Sequence, residues 1–164
     1  MKASNFRKIR GMPYTRKKYM GGIPGSKIVK FTMGNTSKDF SYTVELVNLK
    51  EANIRHNALE AARIAANRTM EPLGRDNFFL KIIPYPHLVL REHKRINVAQ
   101  ADRFQEGMKK AYGKPMGVAA SIRRGKAIFR VKVEEGDINT AKLALKRASD
   151  KFPVPCRIIV KKNN

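Results

Sequence analysis

The stretch Ala127–Ala148, AIFRVKVEEGDINTAKLALKRA, contains a strand followed directly by a helix. Phe129 to Val133 alternate between apolar and basic residues, which predicts a strand with one buried face. Asp137 is a natural N-cap for the helix that follows. The residues predicted on the buried face of that helix are Ile138, Ala141, Leu145 and Ala148, and those predicted on its solvent face are Lys142, Lys146 and Arg147. The unit therefore predicts a helix packed against a sheet.

A second unit of the same kind lies upstream. Ser41–Val47 alternates in the manner of a half-buried strand, and a helical pattern follows from Glu51 to Met70. Pro72 and Gly74 would end that helix. Its predicted buried face is Ile54, Ala58, Ala61 and Ala65, and its predicted solvent face is His56, Glu60, Arg63 and Asn67.

Short apolar runs predict the remaining strands, which are Phe78–Ile83, His87–Leu90, Val118–Ile122 and Cys156–Val160. Val118–Ile122 and Ala127–Val133 are predicted to form a hairpin around Arg123–Lys126, where Gly125 supplies the positive backbone angle of a tight turn. The order is β-α-β-β, a long insertion, then β-β-α-β. It predicts an α+β fold, a two-layer sandwich of a mostly antiparallel sheet with two helices on one face.

The chain has 164 residues, the usual size of one domain, and its first 39 form a basic extension. Ten basic residues precede the first acidic one, Asp39, and glycines and prolines oppose any helix or strand there. Too few apolar groups are present to fold this extension alone, so an anionic surface would order it. A disordered basic tail is the alternative. Residues 40–164 are predicted to form one α+β core domain, with a long mobile central loop inserted at about 91–117.

The charge balance indicates the partner. The chain has 35 Lys and Arg against 13 Asp and Glu, a formal net charge of +22. Such an excess is self-repelling unless a polyanion neutralises it, and nucleic acid is the expected polyanion. No apolar run approaches the roughly 20 residues of a spanning helix, so a membrane partner is not expected. Cys156 is the single cysteine, so an intramolecular disulfide is excluded. Its apolar neighbours predict a small core residue in a strand. The cysteine usage is typical of a protein from a reducing compartment, and the cytoplasm is expected.

The sequence shows no constellation of reactive groups, so no catalytic residue, cofactor or metal site is predicted. His56, His87 and His93 are not spaced as a metal pair, and His56 is expected on a helix surface. Phosphate-cradling, nucleophile-elbow and dinucleotide motifs are all missing from the sequence. Glu134, Glu135 and Asp137 form the one acidic cluster, which the positive end of the following helix explains.

Two basic segments of the core are candidates for phosphate contacts. The insertion carries charge, glycines and a few large side chains, which suits an arm that settles onto RNA. The turn Arg123–Lys126 is a second candidate, and a solvated loop is the alternative for each. In the extension, Phe6, Tyr14 and Tyr19 are interleaved with cations, and such rings can stack on unpaired bases.

Three segments resemble one family. They are Ala101-Asp102-Arg103-Phe104-Gln105-Glu106-Gly107-Met108 with Ala111–Pro115 and Gly117, then Pro13–Arg16 with Gly22–Ile28, and Ala58–Asn67. All three are similar to segments of the universal large-subunit ribosomal protein family, numbered sixteen in bacteria and ten-e in archaea. The similarity covers nearly the whole chain, and the segments follow one another in the same order as in that family. The full basic N-terminus and short C-terminal end resemble the archaeal members.

The resemblance implies a structural protein that binds large-subunit rRNA, including the region near 5S RNA. It also implies a place beside the aminoacyl-tRNA site, where the central loop, Gln100–Gly117, would approach tRNA near the aminoacyl and peptidyl sites. Its tRNA-proximal residues would be Arg103, Lys109, Lys110 and Lys114. Taken with the charge pattern, the residues predicted to bind rRNA are Arg7, Lys8, Arg10, Tyr14, Arg16, Lys17, Lys18, Tyr19, Lys27, Arg63, Arg123, Arg124 and Lys126. Neighbouring ribosomal proteins are further expected partners, a homo-oligomer is not, and the protein is expected in cytoplasmic ribosomes.

Two other functions share parts of this pattern. A DNA-compacting protein or general nucleic-acid chaperone would share the charge, but it needs neither the long Gly/Lys loop nor the interleaved aromatic residues. An RNA-modifying enzyme would require a cofactor and turnover on RNA, and the sequence indicates neither.

Overall fold

The computed structural model describes residues 4, 6–9, 19–94, 108 and 111–163, and within these ranges a pair of helices and eight strands form an α+β fold. The helices are α1, His56–Met70, and α2, Ile138–Ser149. The strands are β1 Thr32–Gly34, β2 Tyr42–Asn48, β3 Ala52–Arg55, β4 Phe78–Ile82, β5 Leu88–Glu92, β6 Lys114–Ile122, β7 Ala127–Val133 and β8 Cys156–Lys162. The predicted fold class and strand-helix order are confirmed, with β1 and β3 as additional strands.

The strands divide into two antiparallel sheets. Five strands follow the order β1-β4-β7-β2-β8, and three follow the order β3-β6-β5. The predicted hairpin of β6 and β7 is therefore wrong, because β6 pairs with β3 and β5 while β7 pairs with β2 and β4. The turn Arg123–Lys126 is present, with Gly125 at φ +79°, and it carries the chain from one sheet to the other. An apolar run predicted the second half of β6 and alternation predicted β7, but neither pattern contains information about the partners of a strand.

Strand β2 is buried on both faces, not on one as predicted. It lies between β7 and β8. Val44 and Leu46 face the hydrophobic core, while Thr43 and Glu45 lie on the opposite face and are also buried. Long basic side chains on the two neighbouring strands shield that second face, because the methylene stems of Lys and Arg can cover a sheet while their charges stay in water.

Helix α1 begins five residues later than predicted, since Ala52–Arg55 form β3. Its buried residues are His56, Leu59, Ala62, Ala66, Thr69 and Met70, so the predicted face of Ala58, Ala61 and Ala65 is also wrong. Ile54 caused the error. It is fully buried, but as a strand residue, and counting it as helical displaced the predicted face by one position.

Helix α2 lies where it was predicted, and its buried face includes Ala141, Leu145 and Ala148. Asp137 occupies the N-cap position, but its side chain makes no capping hydrogen bond. Glu134 instead accepts a hydrogen bond from Ser41 Oγ at 2.6 Å. The two helices pack against each other, and Arg147 of α2 donates to Thr69 Oγ1 of α1 at 3.0 Å.

One hydrophobic core joins both helices to the inner faces of the two sheets. Its largest fully buried side chain is Phe129 of β7. Cys156 is half-buried in β8 and packs against this core, as predicted, and burial raises the pKa of its thiol to about 11. The thiol therefore stays protonated at neutral pH, which agrees with the structural interpretation of this residue.

The second half of the N-terminal extension contacts the core. Ile28 is buried, and β1 pairs with β4, so the prediction of no strand in this extension is wrong. The Lys27 backbone N–H donates to His56 Nδ1 at 3.0 Å. His56 is buried and not on the helix surface as predicted, and burial lowers the pKa of its imidazole, with Arg55 and Lys27 adding to the effect.

The ends of the inserted loop are strands. β5 continues to Glu92, and β6 starts at Lys114, so Lys114 to Gly117 are not part of a loop as predicted. At its base the Arg91 guanidinium lies 3.9 Å from the centre of the Tyr112 ring and donates to the Tyr112 carbonyl at 3.0 Å. The middle of the insertion, residues 95–107 and 109–110, lies outside the described residues.

Candidate nucleic-acid interface

The N-terminal segment Phe6–Ile9 is attached to the edge of the three-stranded sheet by Asn53 of β3. The Asn53 backbone N–H donates to the Arg7 carbonyl at 2.8 Å. Its side-chain amide donates to the carbonyls of Phe6 at 2.8 Å and Lys8 at 3.4 Å. These bonds use the backbone of the segment, which leaves the Arg7 and Lys8 side chains exposed to solvent.

Phe6 has a different role from the predicted one. Its ring is half-buried and packs against a small cluster formed by Leu88, Leu90 and Ala119 on β5 and β6. The Arg55 guanidinium lies over the ring at 5.7 Å. Phe6 thus anchors the segment to the sheet, and a stacking interaction with a base would have to displace this packing.

Asn48 fixes the turn between β6 and β7 beside the turn between β2 and β3. Its backbone N–H donates to the Lys126 carbonyl at 3.2 Å, and its own carbonyl accepts from Gly125 at 2.9 Å. Its side-chain amide donates to the Lys50 carbonyl at 2.7 Å. Residues of both turns and of the segment Phe6–Ile9 line one surface cleft, so the three segments meet there.

We call this place the basic corner and define it by its cations, Arg7, Lys8, Lys50, Arg123, Arg124 and Lys126. All of them are exposed, and Glu51 is the acid that lies among them. Sequence reasoning predicted every cation of the corner as a site residue except Lys50. Lys50 is not among the predicted residues, because the pattern that follows it predicts the start of a helix.

We expect Asn53→Ala to release the N-terminal segment. Two side-chain hydrogen bonds are lost, each with a net contribution of about 1 kcal/mol. The residue 53 backbone amide, which donates to the Arg7 carbonyl, should become several times less protected from hydrogen exchange, and trypsin should cleave after Arg7 or Lys8 more readily. Asn139→Ala, at an exposed position of α2, is the matched control. Unchanged protection of the segment in Asn53→Ala would show that Phe6 packing alone holds it.

Arg63 and Lys27 do not join the basic corner. The Arg63 guanidinium is held in a two-bond ion pair with Glu60, at 2.6 and 2.9 Å, and its side chain is only 14% exposed. The hydrogen bond from Arg63 lowers the pKa of the Glu60 carboxyl, and the same pairing raises the pKa of Arg63. Glu60 also accepts a hydrogen bond from the Val29 backbone N–H at 3.4 Å, so the Arg63–Glu60 pair connects the N-terminal extension to α1. The Lys27 side chain is exposed.

The remaining predicted site residues divide into two groups. Tyr19 is exposed, and Lys114 is exposed at the start of β6. The others lie outside the described residues and are Arg10, Tyr14, Arg16, Lys17, Lys18, Arg103, Lys109 and Lys110. Their predicted contacts stay predictions.

A second basic surface, the outer sheet face, was not predicted. It is the side of the five-stranded sheet opposite α2, and its cations are Lys81, Arg130, Lys132, Arg157 and Lys161. The sequence signal was present, because Arg130 and Lys132 alternate with buried residues of β7. Glu45 lies beneath these cations, with Arg130 at 2.7 Å and Lys161 at 2.8 Å from its oxygens.

Glu45 makes stability depend on pH. The hydrogen bond from Lys161, with a further contribution from Arg130, lowers the pKa of its carboxyl below the ordinary 4.5. A lowered folded-state pKa adds stability above the unfolded-state value, and this stability is lost as the pH falls through the folded-state pKa. Glu45→Gln should therefore destabilise the protein by about 1–2 kcal/mol at pH 7 and flatten its acid unfolding profile. Urea titrations at pH 7 and pH 3 test this, with the exposed Glu135→Gln as control; equal losses at both pH values would contradict it.

The described residues bring no catalytic or metal-binding group together. Within them no three His, Cys, Asp or Glu side chains lie close enough to hold a metal ion. No helix in the described ranges of the chain is long and apolar enough to cross a membrane. The chemistry that the two surfaces offer is cationic, and its natural counterpart is a dense array of phosphates.

Comparisons with known proteins agree with this chemistry. A family model described as ribosomal protein L16p/L10e matches residues 9–159. Large ribosomal subunit protein uL16 of Staphylothermus marinus is 50% identical over 152 residues, which cover 92% of this chain and 87% of that protein. The uL16 proteins of Thermoplasma volcanium and Methanosphaerula palustris are 44% and 48% identical, over 98% and 96% of this chain and 92% and 91% of their own lengths.

Proposed function

Because the chain belongs to the ribosomal protein L16p/L10e family, and is a structural protein of the ribosome and not an enzyme, we propose that it binds large-subunit rRNA through its basic corner. The convergence of three chain segments at that corner carries the proposal. Six exposed cations with one acid among them form a local excess of positive charge held on folded backbone. Such an excess is favourable only beside an anion.

The proposed mechanism is charge neutralisation. Each cation that contacts a phosphate releases condensed counterions, so the affinity falls steeply as salt rises. The hydrogen bonds from Asn53 and Asn48 position the corner before RNA arrives, because they fix the backbone of the N-terminal segment and of the turn. Less conformational entropy is then lost on binding.

The outer sheet face is proposed as a second contact with rRNA. Glu45 holds Arg130 and Lys161 in place, with Lys132 two positions after Arg130 on β7 and Lys81 opposite Arg130 on β4. The basic extension, residues 1–39, would continue along the RNA from the corner, with Arg10, Tyr14, Arg16, Lys17 and Lys18 as its further contacts. The rest, residues 40–164, would act as one core domain docked on the RNA.

The inserted loop is proposed to act toward tRNA. β5 and β6 carry its two ends side by side, with Glu92 opposite Lys114 in the ladder, and this paired base would hold the loop rigidly where it begins and ends. Its cations Arg103, Lys109 and Lys110, together with Lys114 at the start of β6, would contact tRNA and help to organise the aminoacyl-tRNA site and the peptidyl-transferase surroundings. Neighbouring ribosomal proteins would complete its setting, and self-association is not needed for any of these contacts.

The proposal is tested by comparing nucleic acids at matched salt. The full chain should bind fragments of large-subunit rRNA more tightly than random duplex DNA of equal length. It should also sediment with large subunits in low salt and be removed by high salt. Equal affinity for the RNA fragments and the DNA would favour a general nucleic-acid chaperone and would contradict the proposal.

A further inference from the structure

The basic corner contains a cleft of about 660 Å³ whose lining is not uniformly charged. The residues that line it are Lys8, Ile9, Leu49, Lys50, Glu51 and Arg124. Lys8 and Ile9 come from the N-terminal segment, Leu49 to Glu51 from the turn after β2, and Arg124 from the turn after β6. The cleft therefore exists only where the three chain segments meet.

Leu49 is an apolar side chain held in an open position inside this cationic site. It is 42% exposed, and its backbone N–H donates to the Pro155 carbonyl at 3.0 Å, which fixes the residue on the surface. A single exposed leucine is ordinary on a protein surface. Leu49 and Ile9 among three cations indicate a more specific ligand, one that has both an apolar surface and negative charge. A phosphate alone would interact with the cations but would gain nothing from the apolar surface.

A nucleotide combines the two chemistries that this lining requires. Its base has a flat apolar face, and its phosphates carry the negative charge. The carboxylate of Glu51 can accept a hydrogen bond from an exocyclic amino group of a base. A phosphate group has no proton to donate to this carboxylate, so it cannot replace the base there. A base within a duplex is stacked between its neighbours, so only an unpaired base can place a face against the side chains of the cleft.

We propose that the cleft holds one unpaired nucleotide of the RNA, with its base against Leu49 and Ile9 and its flanking phosphates on Lys8, Lys50 and Arg124. This inference rests on the proposed function, since it names the form of RNA that the basic corner recognises. The cations supply most of the affinity, and the two apolar residues supply the preference for an unpaired base over a paired one.

Leu49→Ala tests the apolar side of the site. The probe is a short single-stranded RNA with 2-aminopurine at its centre, and the same strand in a duplex is the comparison. Wild-type protein should change the 2-aminopurine fluorescence in the single strand, and Leu49→Ala should weaken single-strand binding about three- to tenfold. Binding of the duplex should not change. Leu49→Phe, with a larger flat surface, should bind the single strand at least as tightly as the wild type.

Leu143→Ala is the matched control, because Leu143 lies on α2 and is 45% exposed, close to the value for Leu49. It should leave both affinities unchanged. No loss in Leu49→Ala, or an equal loss for single strand and duplex, would overturn the inference. So would a lower incorporation into subunits with RNA affinity unchanged, because Leu49 would then contact a neighbouring protein. None of these results touches the proposed function, which is tested separately by comparing rRNA fragments with duplex DNA and by removing the charges of the corner.

Discussion

The triple variant Lys8→Gln, Lys50→Gln and Arg124→Gln is expected to bind large-subunit rRNA on the order of ten- to a hundredfold more weakly than the wild type at physiological salt. The three cations come from three chain segments and meet around one cleft. If each contacts a phosphate, the slope of log affinity against log salt should become shallower by about two to three units. Filter binding or fluorescence anisotropy over a range of salt concentrations gives both quantities.

A second triple variant removes the same amount of charge elsewhere. Lys142→Gln, Lys146→Gln and Lys151→Gln lie on α2 and directly after it, and all three side chains are exposed. This control should lower the affinity much less, since diffuse charge contributes only long-range attraction that salt screens. If the two triple variants weaken binding equally, the protein uses its net charge and not a defined corner, and the proposed site is wrong.

Gly113→Ala is expected to destabilise the protein by about 2–4 kcal/mol and to distort the base of the inserted loop. Gly113 has φ +78°, a conformation that L side chains rarely adopt. A Cβ at this position would lie 2.7 Å from the Glu92 carbonyl carbon and 2.8 Å from the His93 nitrogen. Both obstacles are backbone atoms, so relief requires the end of the β5–β6 ladder to open. Chemical denaturation measures the loss of stability, and hydrogen exchange at β5 and β6 locates it.

Gly125→Ala separates backbone strain from crowding. Gly125 has nearly the same backbone angle, φ +79°, but a Cβ there would meet nothing within 4 Å. The free energy of unfolding of this variant should decrease by about 1 kcal/mol, which is the cost of the left-handed conformation for a residue with a side chain. A Gly113→Ala variant no less stable than Gly125→Ala would mean that the base of the loop adapts freely, contrary to the proposal of a rigid base for this loop.

The candidate site was predicted in its components but not in its geometry. Arg7, Lys8, Arg123, Arg124 and Lys126 were each recognised as basic residues in loops or turns, because charge and turn propensity are local properties. Lys50 and Leu49 were not recognised, since neither a lysine before a predicted helix nor an exposed leucine is unusual. Their significance comes from neighbours that are at least 40 positions away in the sequence.

The fold shows the same division. Alternation, short apolar runs and helical periodicity were sufficient to predict β2, β4, β7, α2 and the α+β class, and composition was sufficient to predict a polyanionic partner. The motifs of the extension, α1 and the central loop were sufficient to predict the family. These properties come from residues a few positions apart, whose spacing matches the period of a strand or helix.

Strand partners, the burial of His56 and Glu45, and the meeting of three segments at the basic corner came only from the folded chain. β6 and β7 have the pattern of a hairpin, yet each finds its partners in a different sheet. Ile54 is buried in a strand but fits a helical repeat equally well. The physical reason is that pairing energies arise between side chains brought together by the whole core, and a residue's own neighbours in the sequence do not determine them.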